Sequence, residues 1–236
     1  MKDEVSSLID KLQIDAPLSD VVYERLLERI HMGALPPGTV VNEVAIAREF
    51  GVSRGPVREA VRRLQGIQIV TREPYLKARV VELTAESALE LFQMRMGLEG
   101  VACYLAAERM SDEDIEVLLS DTELDHQLRL RGEVSPEGRH FDLHERIVRA
   151  CGNKRIIAAL CEDLYHLLRI YRRHSGSVPV RKEDAFDEHM QIILALKNRD
   201  ARLAESLMRS HIQRAANHIA DQLSAASSAA NARPAR

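Results

Sequence analysis

Apolar positions recur along this chain at two different rhythms, and the change between them divides it. From Leu18 to Met32, Val22, Leu26 and Ile30 fall four apart, the spacing of one helical face. The consecutive breakers of Gly33-Ala-Leu-Pro-Pro-Gly38 stop that helix. Asn42 is placed to cap a short helix from Glu43 to Phe50 that ends at Gly51. Ser53 is placed to cap another, Arg54 to Leu64, with Pro56 in the first turn, where its missing N–H has no intrahelical partner to lose. Val57, Val61 and Leu64 form that helix's apolar stripe. The β-branched runs Ile67 to Val70 and Ala78 to Val81, on either side of Pro74, predict a small hairpin.

From Thr84 the rhythm lengthens into helices. The pattern predicts Thr84 to about Met110, Ser111 to about Gly132, and a third helix opened by Ser135-Pro136 and closed by Gly152. It continues with Asn153 to Ser175, a loop from Gly176 to Arg181, Lys182 to Asn198, and Asp200 to about Ala225. Short connections imply antiparallel neighbours. The expected fold is mainly α: a winged helix-turn-helix with a small β-hairpin wing, then an all-α antiparallel bundle. The expected divisions are an N-terminal extension (1–16), the winged domain (17–81), the bundle (82–225) and a small, polar, disordered tail (226–236).

Composition agrees with helix packing: aromatics are 4% of 236 residues and Trp is absent. The acidic N-terminus has no apolar segment of a signal peptide, and no apolar run reaches membrane-spanning length, so a cytoplasmic protein without membrane contact is expected. Cys103, Cys151 and Cys161 lack paired metal spacing and read as reduced, buried thiols. The net charge of −3 hides a split. Pro17 to Arg79 carries 10 Lys+Arg and 7 Asp+Glu, hence +3; Ala85 to Gln222 carries 19 and 24, hence −5. Arg54, Arg58, Arg62 and Arg63 stand against Glu59 alone within ten residues. Such a run is either a solvated helix face or a phosphate-facing element.

The turn Phe50-Gly51-Val52-Ser53 between two short helices favours the second reading. Arg54, Arg58 and Arg62, four apart, share one face of the second helix, whose N-terminus adds partial positive charge. Arginine matches guanine O6 and N7 in the major groove. In the second half, His140 and His144 are one turn apart and can chelate one divalent ion, whereas His189 and His211 stand alone among apolar neighbours. A histidine on an apolar face is more often a hydrogen-bonded core residue than a ligand, and spacing does not show that they converge.

Two stretches resemble known families. Gly33-Ala-Leu-Pro-Pro-Gly38, Glu43, Ala45-Ile46-Ala47 and Gly51-Val52-Ser53-Arg54-Gly55-Pro56-Val57-Arg58-Glu59-Ala60 resemble the signature of the GntR family of transcription regulators. Leu143-His144 with Ile147 and Gly152-Asn153, Glu188-His189 with Ile192-Ile193, and Met208-Arg209-Ser210-His211-Ile212 resemble the FCD ligand-binding domain of its FadR subfamily, in the six-helix, VanR-like branch.

The resemblance implies a homodimer on a pseudo-palindromic double-stranded operator, read through Ser53, Arg54, Gly55, Arg58, Arg62 and Lys77. Where the family often has Thr, this chain has Gly55. It also lacks the usual glycine at the wing tip, Glu73-Pro74-Tyr75-Leu76-Lys77, and has Gln68 where glycine is common, which is expected to shift the helix-to-strand turn.

For the bundle, the resemblance implies a metal held by His144, His189 and His211, with His140 in place of the usual carboxylate. Imidazole ligands favour Zn, with Ni or Fe as alternatives. A small organic acid effector is implied beside it. Arg95 is either its carboxylate clamp or the ion-pair partner of Glu99 at i+4, and Arg169 and Tyr165 are weaker candidates.

The readings left open are an effector-responsive regulator, a metal-sensing regulator without an organic effector, a bundle with merely packed histidines, and a His-ligated metalloenzyme. The last lacks a positioned base: Asp142 is turned away from the His140–His144 face, and Glu188 beside His189 is expected to point elsewhere.

Overall fold

The structure, a computed structural model, describes residues 17–133, 143–175 and 179–231. It forms two compact units, the first comprising residues up to Leu83 with His166–Ile170, the second comprising Thr84–Tyr165 and the chain from Tyr171 onward.

In the first unit, helix α1 (Leu18–His31) turns its buried residues Val22, Tyr23, Leu26, Leu27 and Ile30 towards α3 (Arg54–Gly66). Helix α2 (Glu43–Phe50) begins where Asn42 accepts a hydrogen bond from the Ala45 amide at 3.2 Å. It ends at Gly51, whose φ of 66° suits a residue without Cβ. Ser53 stands at the N-cap of α3 with extended backbone, but its hydroxyl makes no capping bond. This differs from the expected cap and leaves the first amides of α3 without a side-chain acceptor.

Val57, Ala60, Val61 and Leu64 are completely buried. At about 1.5–3 kcal/mol for each large apolar side chain, this stripe fixes the rotation of α3 and turns the opposite face to solvent. The hairpin is shorter than its apolar runs suggest: β1 (Val70–Thr71) pairs antiparallel with β2 (Arg79–Val80), Val70 opposite Val80, and Val40 bridges to Arg79. Gln68 and Tyr75 have φ of 60° and 66°. Both therefore adopt the left-handed conformation that glycine favours.

The second unit is all-helical. Helix α4 (Ala85–Arg109) starts at a reciprocal capping box in which Thr84 and Ser87 serve each other's amides. The Ser87 hydroxyl also meets the Tyr171 hydroxyl at 2.7 Å. Helix α5 (Asp112–Leu130) is capped by Ser111, and α6 spans Leu143–Ala150. The single helix expected from Asn153 to Ser175 is interrupted: α7 (Lys154–Ala158) passes into a π-helical turn (Ala159–Asp163) before α8 (Tyr165–Ser175).

Helix α9 (Pro179–Lys197) starts earlier than expected, with Pro179 in its first position, where a missing N–H costs nothing. Helix α10 (Ala201–Asn231) runs past the expected end near Ala225, because the alanines of Ala225-Ala226-Ser227-Ser228-Ala229-Ala230 are strong helix formers. Helix α10 packs along α4 more extensively than any other pair. Arg199, itself at φ 57°, donates to the Ala107 and Met110 carbonyls, closing the C-terminal end of α4. Among the described residues no helix is long and apolar enough to cross a membrane.

Candidate operator-reading face and metal centre

On α3 the four arginines separate by role. Arg54, Arg58 and Arg62 are exposed on the side opposite the buried stripe. Arg63, one residue further round, turns back: it pairs with Asp20, and its guanidinium carbon lies 4.1 Å from the Tyr23 ring centre. Arg58 and Arg72 share one carboxylate, Glu43, at the start of α2, with Arg58 Nε 4.0 Å away. Glu43 thereby links the exposed helix face to the base of the wing. Around Gly55 the nearest atom to a Cβ would be Ser53 Oγ at 3.9 Å, so the start of α3 presents bare backbone. Lys77 is exposed on the wing and has no ion pair among the described residues.

In the bundle, His144 from α6, His189 from α9 and His211 from α10 converge, with one nitrogen of each within 4.8 Å of the others. His211 Nε2 lies 3.2 Å from His144 Nε2 and 3.3 Å from His189 Nε2. The rings of His144 and His189 stand edge to face at 81°. His140 lies outside the described residues.

Two carboxylates that the sequence reading left out of this site complete it. Glu99 Oε2 accepts from His144 Nδ1 at 2.6 Å, and its other oxygen accepts from Arg95 Nε at 2.6 Å. Glu188 Oε2 accepts from His211 Nδ1 at 2.5 Å, and its other oxygen from Arg214 Nε at 2.5 Å. Glu188 does not face the shared Nε2 centre: it turns from its own helix to the ring on α10 and meets it at Nδ1, on the far side. Its signal in the sequence was weak, since a residue beside a histidine faces a different direction from it on one helix, and only the neighbouring helix gives it a target.

Arg95 and Glu99 are almost wholly buried, at 3% and 2% side-chain exposure. Burial by itself raises the Glu99 carboxyl, but the Arg95 charge and His144 overcome it and hold the group well below the ordinary carboxylate range. Of the two roles considered for Arg95, the ion pair with Glu99 is the one displayed. Arg169 is exposed and groups with the first unit, and Tyr165 is half-buried; neither is brought to the imidazoles by any contact described.

The donor set fits a cation. If Nδ1 of His144 and of His211 each donate to a carboxylate, their Nε2 atoms carry lone pairs, and two lone pairs 3.2 Å apart repel unless a cation or a proton lies between them. A tetrahedral ion with nitrogen at about 2.0–2.1 Å separates its donors by roughly 3.3 Å, and the two pairs that His211 Nε2 makes, with His144 and with His189, have that spacing at 3.2 and 3.3 Å.

Comparison with known proteins extends the argument from this geometry. The gntR-family model of bacterial regulatory proteins matches residues 18–76, and the FCD domain model matches residues 90–214. The chain belongs to the GntR family and carries an FCD domain: it is a DNA-binding transcriptional regulator.

The gluconate operon transcriptional repressor of Bacillus subtilis is 32% identical over 193 residues, covering 78% of this chain and 76% of that protein. The transcriptional repressor GlaR of Escherichia coli is 26% identical over 199 residues, covering 80% and 90%. Among solved structures, E. coli McbR/YncC superposes with a TM-score of 0.65 at 20% identity, over 88% of this chain and 99% of that one, and so shares the fold. These relatives regulate transcription rather than catalyse reactions.

Proposed function

We propose that this regulator binds a pseudo-palindromic operator as a homodimer, and that a divalent transition metal in the bundle anchors a small carboxylate effector which alters operator affinity. Arg54, Arg58 and Arg62 on the outer face of α3 enter the major groove, the bare amides at Ser53 and Gly55 sit on phosphate, and Lys77 supports them from the wing. His144, His189 and His211 hold the ion through Nε2, and His140 is the candidate for a fourth ligand. Zinc suits an all-imidazole set best, ahead of nickel or iron.

The observation that carries this reading is the meeting of three ring nitrogens from three helices. An ion there leaves coordination positions that a carboxylate can take. The name of the gluconate operon repressor, a relative, refers to a hydroxy acid of this ligand class. An effector acts only by binding the DNA-competent and incompetent forms unequally.

Elemental analysis of purified protein, followed by operator-binding titrations with Zn²⁺ and then a panel of hydroxy and dicarboxylic acids, tests it. About one ion per chain and an acid-dependent change in operator affinity are expected. If metal alone toggles binding and no acid does, the organic-effector reading gives way to metal sensing.

A further inference from the structure

The same carboxylate arrangement occurs twice around the imidazole cluster, on different helices. Glu99 on α4 places one oxygen on Arg95 and the other on His144 Nδ1; Glu188 on α9 places one oxygen on Arg214 and the other on His211 Nδ1. Ionised carboxylates only accept and guanidinium only donates, so each ring must offer its Nδ1 proton. We infer that Glu99 and Glu188 are positioning residues of the metal centre, each locking one histidine as the Nδ1–H tautomer with its Nε2 lone pair aimed at the shared centre. This inference rests on the metal reading above and adds to it the groups that prepare the ligands before any ion arrives.

The chemistry of a glutamine substitution makes the idea sharp. An amide has one acceptor oxygen and one donor nitrogen, so it serves only one of the two donors that the carboxylate serves. Arginine cannot give up its proton, so in Glu99→Gln the amide oxygen goes to Arg95 and the amide NH₂ faces His144 Nδ1. That ring can satisfy the NH₂ only by moving its proton to Nε2, which removes the lone pair from the centre. Glu188→Gln does the same to His211. The second site is the milder test for folding, because Arg214 is half-exposed whereas Arg95 and Glu99 are buried.

The experiment has two readouts on the full-length protein. Long-range ¹H–¹⁵N spectra of the metal-free protein report the tautomer of each histidine, and Zn²⁺ titration against a competing chelator reports affinity. The expected wild-type spectrum shows Nδ1 protonated on both His144 and His211, with a proton between their Nε2 atoms standing in for the absent ion. Glu99→Gln shifts His144 alone to Nε2–H and Glu188→Gln shifts His211 alone, each weakening Zn²⁺ binding by about 10–100-fold, the usual effect of losing a carboxylate behind a metal-binding histidine. Glu99→Asp and Glu188→Asp, which keep the charge, recover part of the affinity. Wild-type rings already without the Nδ1 proton, or both glutamine variants binding Zn²⁺ like the wild type, would overturn the inference. Failure of the wild type itself to bind Zn²⁺ sinks the metal reading instead, while the tautomers still show whether the carboxylates orient the rings.

Discussion

Gln68 and Tyr75 bear backbone conformations that side chains disfavour. Both have positive φ, and both are exposed, with nothing described packing against either ring or amide to stabilise the choice. A left-handed residue with a Cβ costs about 1–2 kcal/mol, and glycine removes most of that while costing some entropy in the unfolded chain. Gln68→Gly and Tyr75→Gly are therefore each expected to raise unfolding free energy by about 1 kcal/mol; urea denaturation checks this, and an unchanged midpoint would contradict the strain assignment. Here the sequence was misleading for a physical reason. The absence of glycine suggested a changed turn, yet Gln68 sits in the turn that closes α3, where the Ile69 amide returns to the Leu64 carbonyl at 3.0 Å, and Tyr75 lies in the loop between the paired strands β1 and β2. Cys103 illustrates the opposite case, where burial was read correctly. Burial, reinforced by the Glu99 and Glu205 carboxylates, pushes its thiol up to about 12. A raised thiol pKa means almost no thiolate at pH 8, so alkylation of Cys103 should be negligible in native protein and rapid in denaturant, as mass spectrometry of labelled peptides would show.

At the scale of one element, α3 shows how a charge count misleads until helical geometry divides it. Four arginines in ten residues look alike in sequence, but Arg63 is committed to Asp20 and Tyr23 while Arg58 and Arg62 remain 68% and 79% exposed. Arg58→Ala is expected to weaken operator binding by about 1–3 kcal/mol, or to lower its salt dependence by about one counterion if the contact is to phosphate, with little change in melting temperature. Arg63→Ala should do the reverse, costing about 0.5–1 kcal/mol of stability and little affinity. Fluorescence anisotropy across a salt series, paired with thermal melts, separates the two; equal affinity losses would mean that α3 meets DNA on another face. The elements themselves were legible wherever caps and breakers are local, as at Asn42, Gly51, Thr84 and Ser111. The π-helical turn at Ala159–Asp163 was not, because the apolar period runs through it unbroken. The extension of α10 to Asn231 was missed because short polar residues among alanines looked like a tail.

For the whole molecule, the three histidines were individually unremarkable in sequence, and only the family resemblance grouped them. Nothing in the spacing of Glu99 or Glu188 tied them to rings 45 and 23 residues away, since such ties exist only after the helices pack. Once packed, the cluster joins α6, α9 and α10, and through Glu99 it reaches α4. A ligand that binds only the folded arrangement stabilises it by mass action, about 2.7 kcal/mol when free ligand is a hundredfold above its dissociation constant. Zn²⁺ should therefore raise the melting temperature of metal-free protein and slow amide exchange in α4, α6, α9 and α10. His144→Ala should abolish both effects without altering the proposed operator-reading face, because it removes one of three candidate ligands from the second unit while Arg54, Arg58 and Arg62 belong to the first. Hydrogen exchange with and without Zn²⁺, on wild type and variant, provides the measurement. Protection that leaves these four helices unchanged, or that persists in His144→Ala, would place any bound ion elsewhere in the molecule.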